Sequence, residues 1–148
     1  ITRVQIGIQH TDNDILQYVN RQCNAEKNIA AIYFLKQNGF KVDIHLMLDL
    51  PKSTPEKDME MLTEVLTSPD YEADQWKIYP TEVTPFTKIK EWYDAGEYEP
   101  YAEWDNGDTL SKVIIHAKKM MKPWIRINRR KKAWCAGVFD AGKLRCRN

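Results

Sequence analysis

Four short segments alternate like β-strands, stand between helical stretches, and each keep one polar face: VQIGIQ (4–9), FKVDIHLML (40–48), QWKIY (75–79) and WIRIN (124–128). Val4, Ile6 and Ile8 oppose Gln5, Gly7 and Gln9; Val42, Ile44 and Leu46 oppose Asp43, His45 and Met47. Trp76 and Ile78 oppose Gln75, Lys77 and Tyr79; Ile125 and Ile127 oppose Trp124, Arg126 and Asn128. Strand–helix alternation is the signature of parallel βα units. Such strands normally read apolar on both faces because helices or barrel side chains cover both. An unpaired buried Asp or Lys costs several kcal/mol, so these polar faces must pair, meet water or meet a ligand. The pattern therefore predicts an α/β fold, a wide or incomplete barrel whose polar interior holds something charged. A one-layer sheet with a wet second face satisfies the same periodicity.

The intervening helices carry their own punctuation. Thr11 or Asp12 opens the first, and AEKNIAAIYFLKQN is closed by Asn38-Gly39. Ser53-Thr54-Pro55 supplies a cap and an N1 proline ahead of Glu56, Lys57 and Asp58, with Met59, Leu62 and Leu66 as the inward stripe. TKIKEWYDA ends at Gly96, and Leu110, Val113, Ile114 and Ala117 mark the last helix. The loop EYEPYAEWDNG (97–107) is too rich in Tyr and Trp to read as a linker.

At 148 residues the chain is one domain's worth, with 43% hydrophobic and 29% charged residues. No apolar run approaches the roughly 20 residues that cross a bilayer, and ITRVQIG has no signal-peptide layout. The net charge of +1 conceals an asymmetry: residues 126–148 hold eight Lys/Arg against one Asp, so the rest is net acidic. A basic end of that kind can meet phosphate, although a solvated tail has the same composition. Cys23, Cys135 and Cys146 show neither a disulfide framework nor a metal-ligand spacing, which fits reduced thiols.

In parallel folds the working residues sit at the carboxyl ends of the strands. That selects Gln9 and His10, Met47 and Asp49, Tyr79 and Glu82, and Asn128 with Arg129. No Gly-rich phosphate loop or nucleophile elbow is present; His10 and His45 could form a metal pair, but isolated histidines more often make hydrogen bonds. Composition and spacing thus give a polar pocket without a reaction.

Four strings in order say more: VQIGIQHTDNDIL with NRQC, FKVDIHLMLDLPKSTPEKD, DQWKIYPTEVTPFTKIKEWYDAGEYEPY and PWIRINR. Together they resemble the radical S-adenosylmethionine (SAM) domain of the Elongator catalytic-subunit family, over roughly residues 1–129. A more distant similarity is to oxygen-independent coproporphyrinogen oxidases. The resemblance implies the second half of an incomplete (βα)6 TIM-like barrel (1–129) and a divergent basic tail (130–148). It implies an enzyme that uses a [4Fe–4S] cluster, SAM and acetyl-CoA to give wobble uridine of tRNA a carboxymethyl-type group. The partners would be tRNA and other Elongator subunits, in the cytoplasm or nucleus, with no membrane. In this reading Lys77, Tyr79 and His45 are catalytic, and Gln9, His10, Asp43, Arg126 and Asn128 bind cofactor. Gln9 would touch the SAM ribose, Asp43, His45 and Lys77 would line the radical cavity, and Tyr79 and Arg126 would position SAM or the acetyl donor. Arg129, Arg130, Lys131 and Lys132 would meet nucleic acid. The alternatives are a non-catalytic piece that binds tRNA or partner subunits, and a porphyrin-acting radical SAM enzyme.

The sequence also departs from that family. Lys52 stands where a leucine-proline-glycine turn is usual, and RKKAWCAGVFDAGKLRCRN does not continue the pattern. The family's cluster cysteines belong to an earlier part of the domain, so the parent protein is expected to be longer and the acetyltransferase domain to lie beyond residue 148. A half barrel with open edges is expected to be marginally stable. It follows that the 148-residue chain alone should form no [4Fe–4S] cluster. Anaerobic reconstitution with iron and sulfide assay checks this, and a stoichiometric cluster would refute it.

Overall fold

The computed structural model describes residues 1–127. Strand β1 (Arg3–Gln9) leads into α1 (Asn13–Tyr18) and α2 (Ala25–Gln37), then β2 (Lys41–Leu48) and α3 (Pro55–Thr67). After a short 3-10 turn come β3 (Gln75–Pro80), α4 (Lys88–Asp94), a second 3-10 turn (Tyr101–Glu103), α5 (Asp108–Met120) and β4 (Arg126–Ile127). All pairings are parallel and the strand order is β1-β2-β3-β4, so β1 and β4 are the edges of the described sheet.

The helix starts are local chemistry. Asp12 accepts the Asp14 and Ile15 amides, Asn24 the Lys27 amide, Thr54 the Lys57 amide and Thr87 the Lys90 amide, each satisfying otherwise orphaned donors. Pro55 occupies the first turn of α3, where its missing N–H costs nothing. Helix α2 ends through Asn38 into Gly39 at φ +76°, a left-handed turn that glycine takes without a β-carbon clash.

One face of the sheet forms the core. Ile8, Val42, Ile44, Leu46, Leu48, Trp76 and Ile78 are buried against Ile32 of α2, Met61, Leu62, Val65 and Leu66 of α3, and Leu110, Val113, Ile114 and Ala117 of α5. The α3 stripe differs from the expected one: Met59 is only half buried, while Met61 and Val65 point inward beside Leu62 and Leu66. Helix α3 packs on α5 as well as into the core cluster of the sheet, so a wider face than one row of residues is covered. Thr63 Oγ1 and His116 Nε2 meet at 2.9 Å across the α3–α5 seam, which gives His116 a packing role. The last strand is shorter than WIRIN: Trp124 is exposed, pairing starts at Arg126, and Asn128 lies outside the described residues.

Leu46 sits at the middle of this core with no exposed surface, whereas Phe34 on α2 is 64% exposed. Leu46→Ala should cost about 2–5 kcal/mol in urea unfolding and Phe34→Ser less than about 0.5 kcal/mol. Equal costs would mean that the apolar face is not the core.

Candidate functional site

The opposite face of the sheet is where the polar residues converge. The register puts Gln5, Asp43, Gln75 and Arg126 in one row across all four strands, with Gly7, His45 and Lys77 in the next and Met47 beside Tyr79 beyond it. The lower row is knitted together. Arg3 Nη1 pairs with Asp43 and donates to Gln75 Oε1 at 3.2 Å; Gln5 Nε2 donates to Asp43 Oδ2 at 3.5 Å; Lys77 Nζ donates to Gln5 Oε1 at 2.9 Å. This is how Asp43 tolerates full burial: its charge is matched by a guanidinium and its second oxygen accepts an amide.

The second row is less satisfied. His45 Nε2 and Gln9 Oε1 are buried without a hydrogen-bond partner among the described residues. Burial holds the His45 imidazole below its ordinary pKa, Lys77 adds to this and Asp43 opposes it, so His45 is neutral at pH 7. The Tyr79 ring meets it edge-on, with centroids 6.2 Å apart. Gln9 reaches the row through a bulge: the register jumps from Gly7–His45 to Gln9–Leu46, with Gln9 at φ +65°. Its amide folds back over Gly7, where a β-carbon would lie 2.6 Å from Gln9 Nε2 and 3.1 Å from Arg21 Nη2. A side chain at position 7 would displace that amide and crowd the Arg21 guanidinium, which donates to the Gly7 carbonyl. The two orphaned atoms therefore belong to neighbouring register positions on β1 and β2.

The carboxyl ends of β1 and β2 are tied by a separate buried network. Asp58 is fully buried and accepts from the Asp49 amide (2.7 Å), Ser53 Oγ (2.5 Å) and Tyr101 Oη (2.6 Å), with His10 Nε2 at 3.3 Å. The Asp12 amide donates to His10 Nδ1, which leaves Nε2 as the protonated nitrogen facing Asp58. Asp49, at φ +61°, accepts the Tyr101 and Ala102 amides on its carboxylate and the Tyr98 hydroxyl on its carbonyl. Burial pushes the Asp49 carboxyl up to about 6, the two amides oppose this, and the Asp58 charge adds to it. Burial and these carboxylates raise the Tyr98 and Tyr101 hydroxyls well above their ordinary range, keeping both as donors.

The expected site residues therefore divide. Gln9, His45, Lys77, Tyr79, Asp43 and Arg126 share the polar face. His10 stands apart, with both ring nitrogens engaged inside the chain. Asn128, Arg129, Arg130, Lys131 and Lys132 lie outside the described residues. Arg3, Arg21 and Asp58 were not singled out from sequence. Arg3 extends the period-two polar face by one step, a legible signal, whereas Asp58 reads as an ordinary first-turn helix acid. Among the described residues no group of three His, Cys, Asp or Glu side chains is placed to hold a metal, and Cys23 is exposed. These residues offer no ligand set for an iron–sulfur cluster. No described helix is long and apolar enough to cross a membrane.

The raised Asp49 pKa makes stability depend on pH in a definite direction. The folded carboxyl takes up its proton near pH 6 and the unfolded one near 4, so the folded state binds more protons in between and gains stability as pH falls. Between pH 7 and 4.5, the unfolding free energy of wild type relative to Asp49→Asn should rise by on the order of 2 kcal/mol. A difference that stays flat or shrinks in urea titrations would contradict the burial of a strained carboxyl here.

Comparison with known proteins agrees with this architecture. Residues 73–135 match the radical SAM C-terminal domain. The chain is 38% identical over 128 residues to a tRNA uridine(34) acetyltransferase of Methanocaldococcus jannaschii, covering 86% of this chain and 23% of that relative. It is 31% identical to the Homo sapiens Elongator complex protein 3, with the same coverage of each. Among solved structures, the archaeal Methanocaldococcus infernus Elp3 superposes with a TM-score of 0.80 at 38% identity, over 86% of this chain and 29% of that one. Escherichia coli coproporphyrinogen III oxidase (HemN), a radical SAM enzyme, shares the fold at TM-score 0.61 and 20% identity, over 81% of this chain and 27% of that one. The chain spans about a quarter of the length of these relatives. Four parallel strands alternating with helices, with these neighbours, make it an α/β segment of a radical SAM barrel. The chain thus carries a radical SAM C-terminal domain and is homologous to the tRNA uridine(34) acetyltransferase and Elongator complex protein 3 family.

Proposed function

We propose that this chain is one wall of the SAM cavity in an enzyme that modifies the wobble uridine of tRNA. The observation that carries this reading is the pair of buried, unpartnered atoms, Gln9 Oε1 and His45 Nε2, at neighbouring register positions of one polar face. Buried polar atoms are rarely left unpaired, and two adjacent ones ask for a ligand with two adjacent polar groups. The vicinal hydroxyls of the SAM ribose have that form: Gln9 Oε1 would accept a hydrogen bond from one hydroxyl and neutral His45 would bond the other. Arg21, held over Gly7 beside the Gln9 amide, complements the SAM carboxylate. SAM supplies the radical-forming chemistry when bound. Lys77 and Tyr79 line the continuation of the face and position the reacting group, and Arg126 on β4 extends the cationic side. Asp43 holds the wall together through Arg3 and Gln5 rather than by direct ligand contact. His10 acts with Asp58 in keeping the strand ends in place.

The finer assignments rest on the relatives. The names tRNA uridine(34) acetyltransferase and Elongator complex protein 3 support acyl transfer to tRNA within an Elongator assembly, and this reading adds acetyl-CoA as acyl donor, a carboxymethyl-type product and a cytoplasmic or nuclear location. Residues 1–129 form part of the radical SAM domain, and the basic stretch 130–148, with Arg129, meets nucleic acid. In this reading the cluster ligands come from another part of the parent protein, and the chain by itself is inactive. A porphyrin substrate is the less favoured reading, since the HemN likeness is one of fold.

Calorimetric titration of SAM tests the wall. Gln9→Ala and His45→Ala should each weaken binding by about 5- to 30-fold, the value of one or two lost hydrogen bonds, while leaving the melting temperature unchanged or higher. Undiminished SAM affinity in both variants would overturn the assignment.

A further inference from the structure

Outside the polar face, one surface feature combines strain, cation and aromatics. Lys52, in the loop after β2, adopts φ +70°, a left-handed conformation that disfavours any residue with a β-carbon. None of the ion pairs among the described residues includes it; its ammonium lies 4.0 Å over the centroid of the Tyr18 ring. Tyr18 is stacked on Trp92, with centroids 4.6 Å apart and planes at 23°. Lysine, tyrosine and tryptophan from the loop after β2, α1 and α4 thus form a single stack at the carboxyl end of the sheet. Lys52 and Lys57 then line an open pocket of about 400 Å³ with Asp14, Ile15, Gln17 and Tyr18. Lys57 is braced by Asp12 at 3.0 Å, leaving Lys52 as the lining cation outside any ion pair among the described residues.

We propose that this pocket is a docking point for the phosphodiester backbone of a single-stranded nucleic-acid segment, with Lys52 on a phosphate and the Tyr18–Trp92 pair beside a base. Single-stranded nucleic acid is bound by this combination, a cation tracking the backbone and aromatic faces for the bases. Backbone strain that persists at a concave, charged surface is a mark of function. The proposal rests on the tRNA reading above and adds to it where the strand meets the chain, at the carboxyl end of the sheet.

Lys52→Gly separates the two explanations for a strained lysine, because glycine relieves the strain while removing the ammonium. In the full 148-residue chain the variant should melt at the same or a higher temperature. It should bind tRNA about 5- to 10-fold more weakly, with the slope of log affinity against log salt reduced by about one. Lys112→Ala, the same charge loss on α5, should leave that slope within a few tenths. Lys52→Gly binding tRNA like wild type, or Lys112→Ala losing as much, overturns the docking point alone. A wild-type chain that binds no tRNA at low salt, or binds only free nucleotide, overturns the tRNA reading and the docking point together.

Discussion

Asp58 is fully buried, and four groups converge on its two oxygens: the Asp49 amide, the Ser53 and Tyr101 hydroxyls and His10 Nε2. Those partners come from the end of β1, the end of β2, the turn into α3 and the aromatic loop. A carboxylate in an apolar interior is costly unless each lone pair is satisfied, and here the donors are supplied by segments far apart in sequence. Removing the acceptor would strand all four donors at once, so the geometry of the strand ends depends on it. The aromatic loop 97–107 is folded down on this point through Tyr98 and Tyr101, which is why it is no linker.

With the strand ends fixed, the two faces of the sheet do different work. The apolar face buries Val42, Ile44, Leu46 and Trp76 beneath three helices and supplies the stabilising area. The polar face spends Arg3, Gln5, Asp43, Gln75 and Lys77 on one another. What remains unspent lies one row further along, at Gln9 and His45. A fully satisfied row beside an unsatisfied one is what a preorganised binding wall requires: the first holds rigid what the second offers.

Among the described residues six non-glycines are left-handed: Asn20 and Asn106 lie in turns beside α1 and α5, and the other four follow the strands. Gln9, Asp49 and Lys52 all lie at or just beyond the carboxyl ends of β1 and β2, and Phe86 lies in the loop after β3. In Gln9 the positive φ and the register jump turn its amide back over Gly7; in Asp49 the same conformation turns the carboxylate toward the Tyr101 and Ala102 amides. Sequence alone predicts glycine at such positions, so the non-glycine residues found there mark places where a side chain is needed more than a relaxed backbone.

The sequence by itself determined the parallel strand–helix order, the capped helix starts and the division of each strand into an apolar and a polar face, because periodicity and capping are local. It also pointed to Gln9, His45, Lys77 and Tyr79 as neighbours on one face, since alternation fixes facing once a strand is recognised. Only the tertiary structure decided which of those polar groups are consumed. Asp43 is matched by Arg3, a residue 40 positions away, and His10 is taken by Asp58, 48 positions away. Gln9 is left open because a bulge and a glycine happen to fall on the same strand. Pairing of this kind depends on register between strands and on loops folding back, and neither is written in the spacing of a single segment.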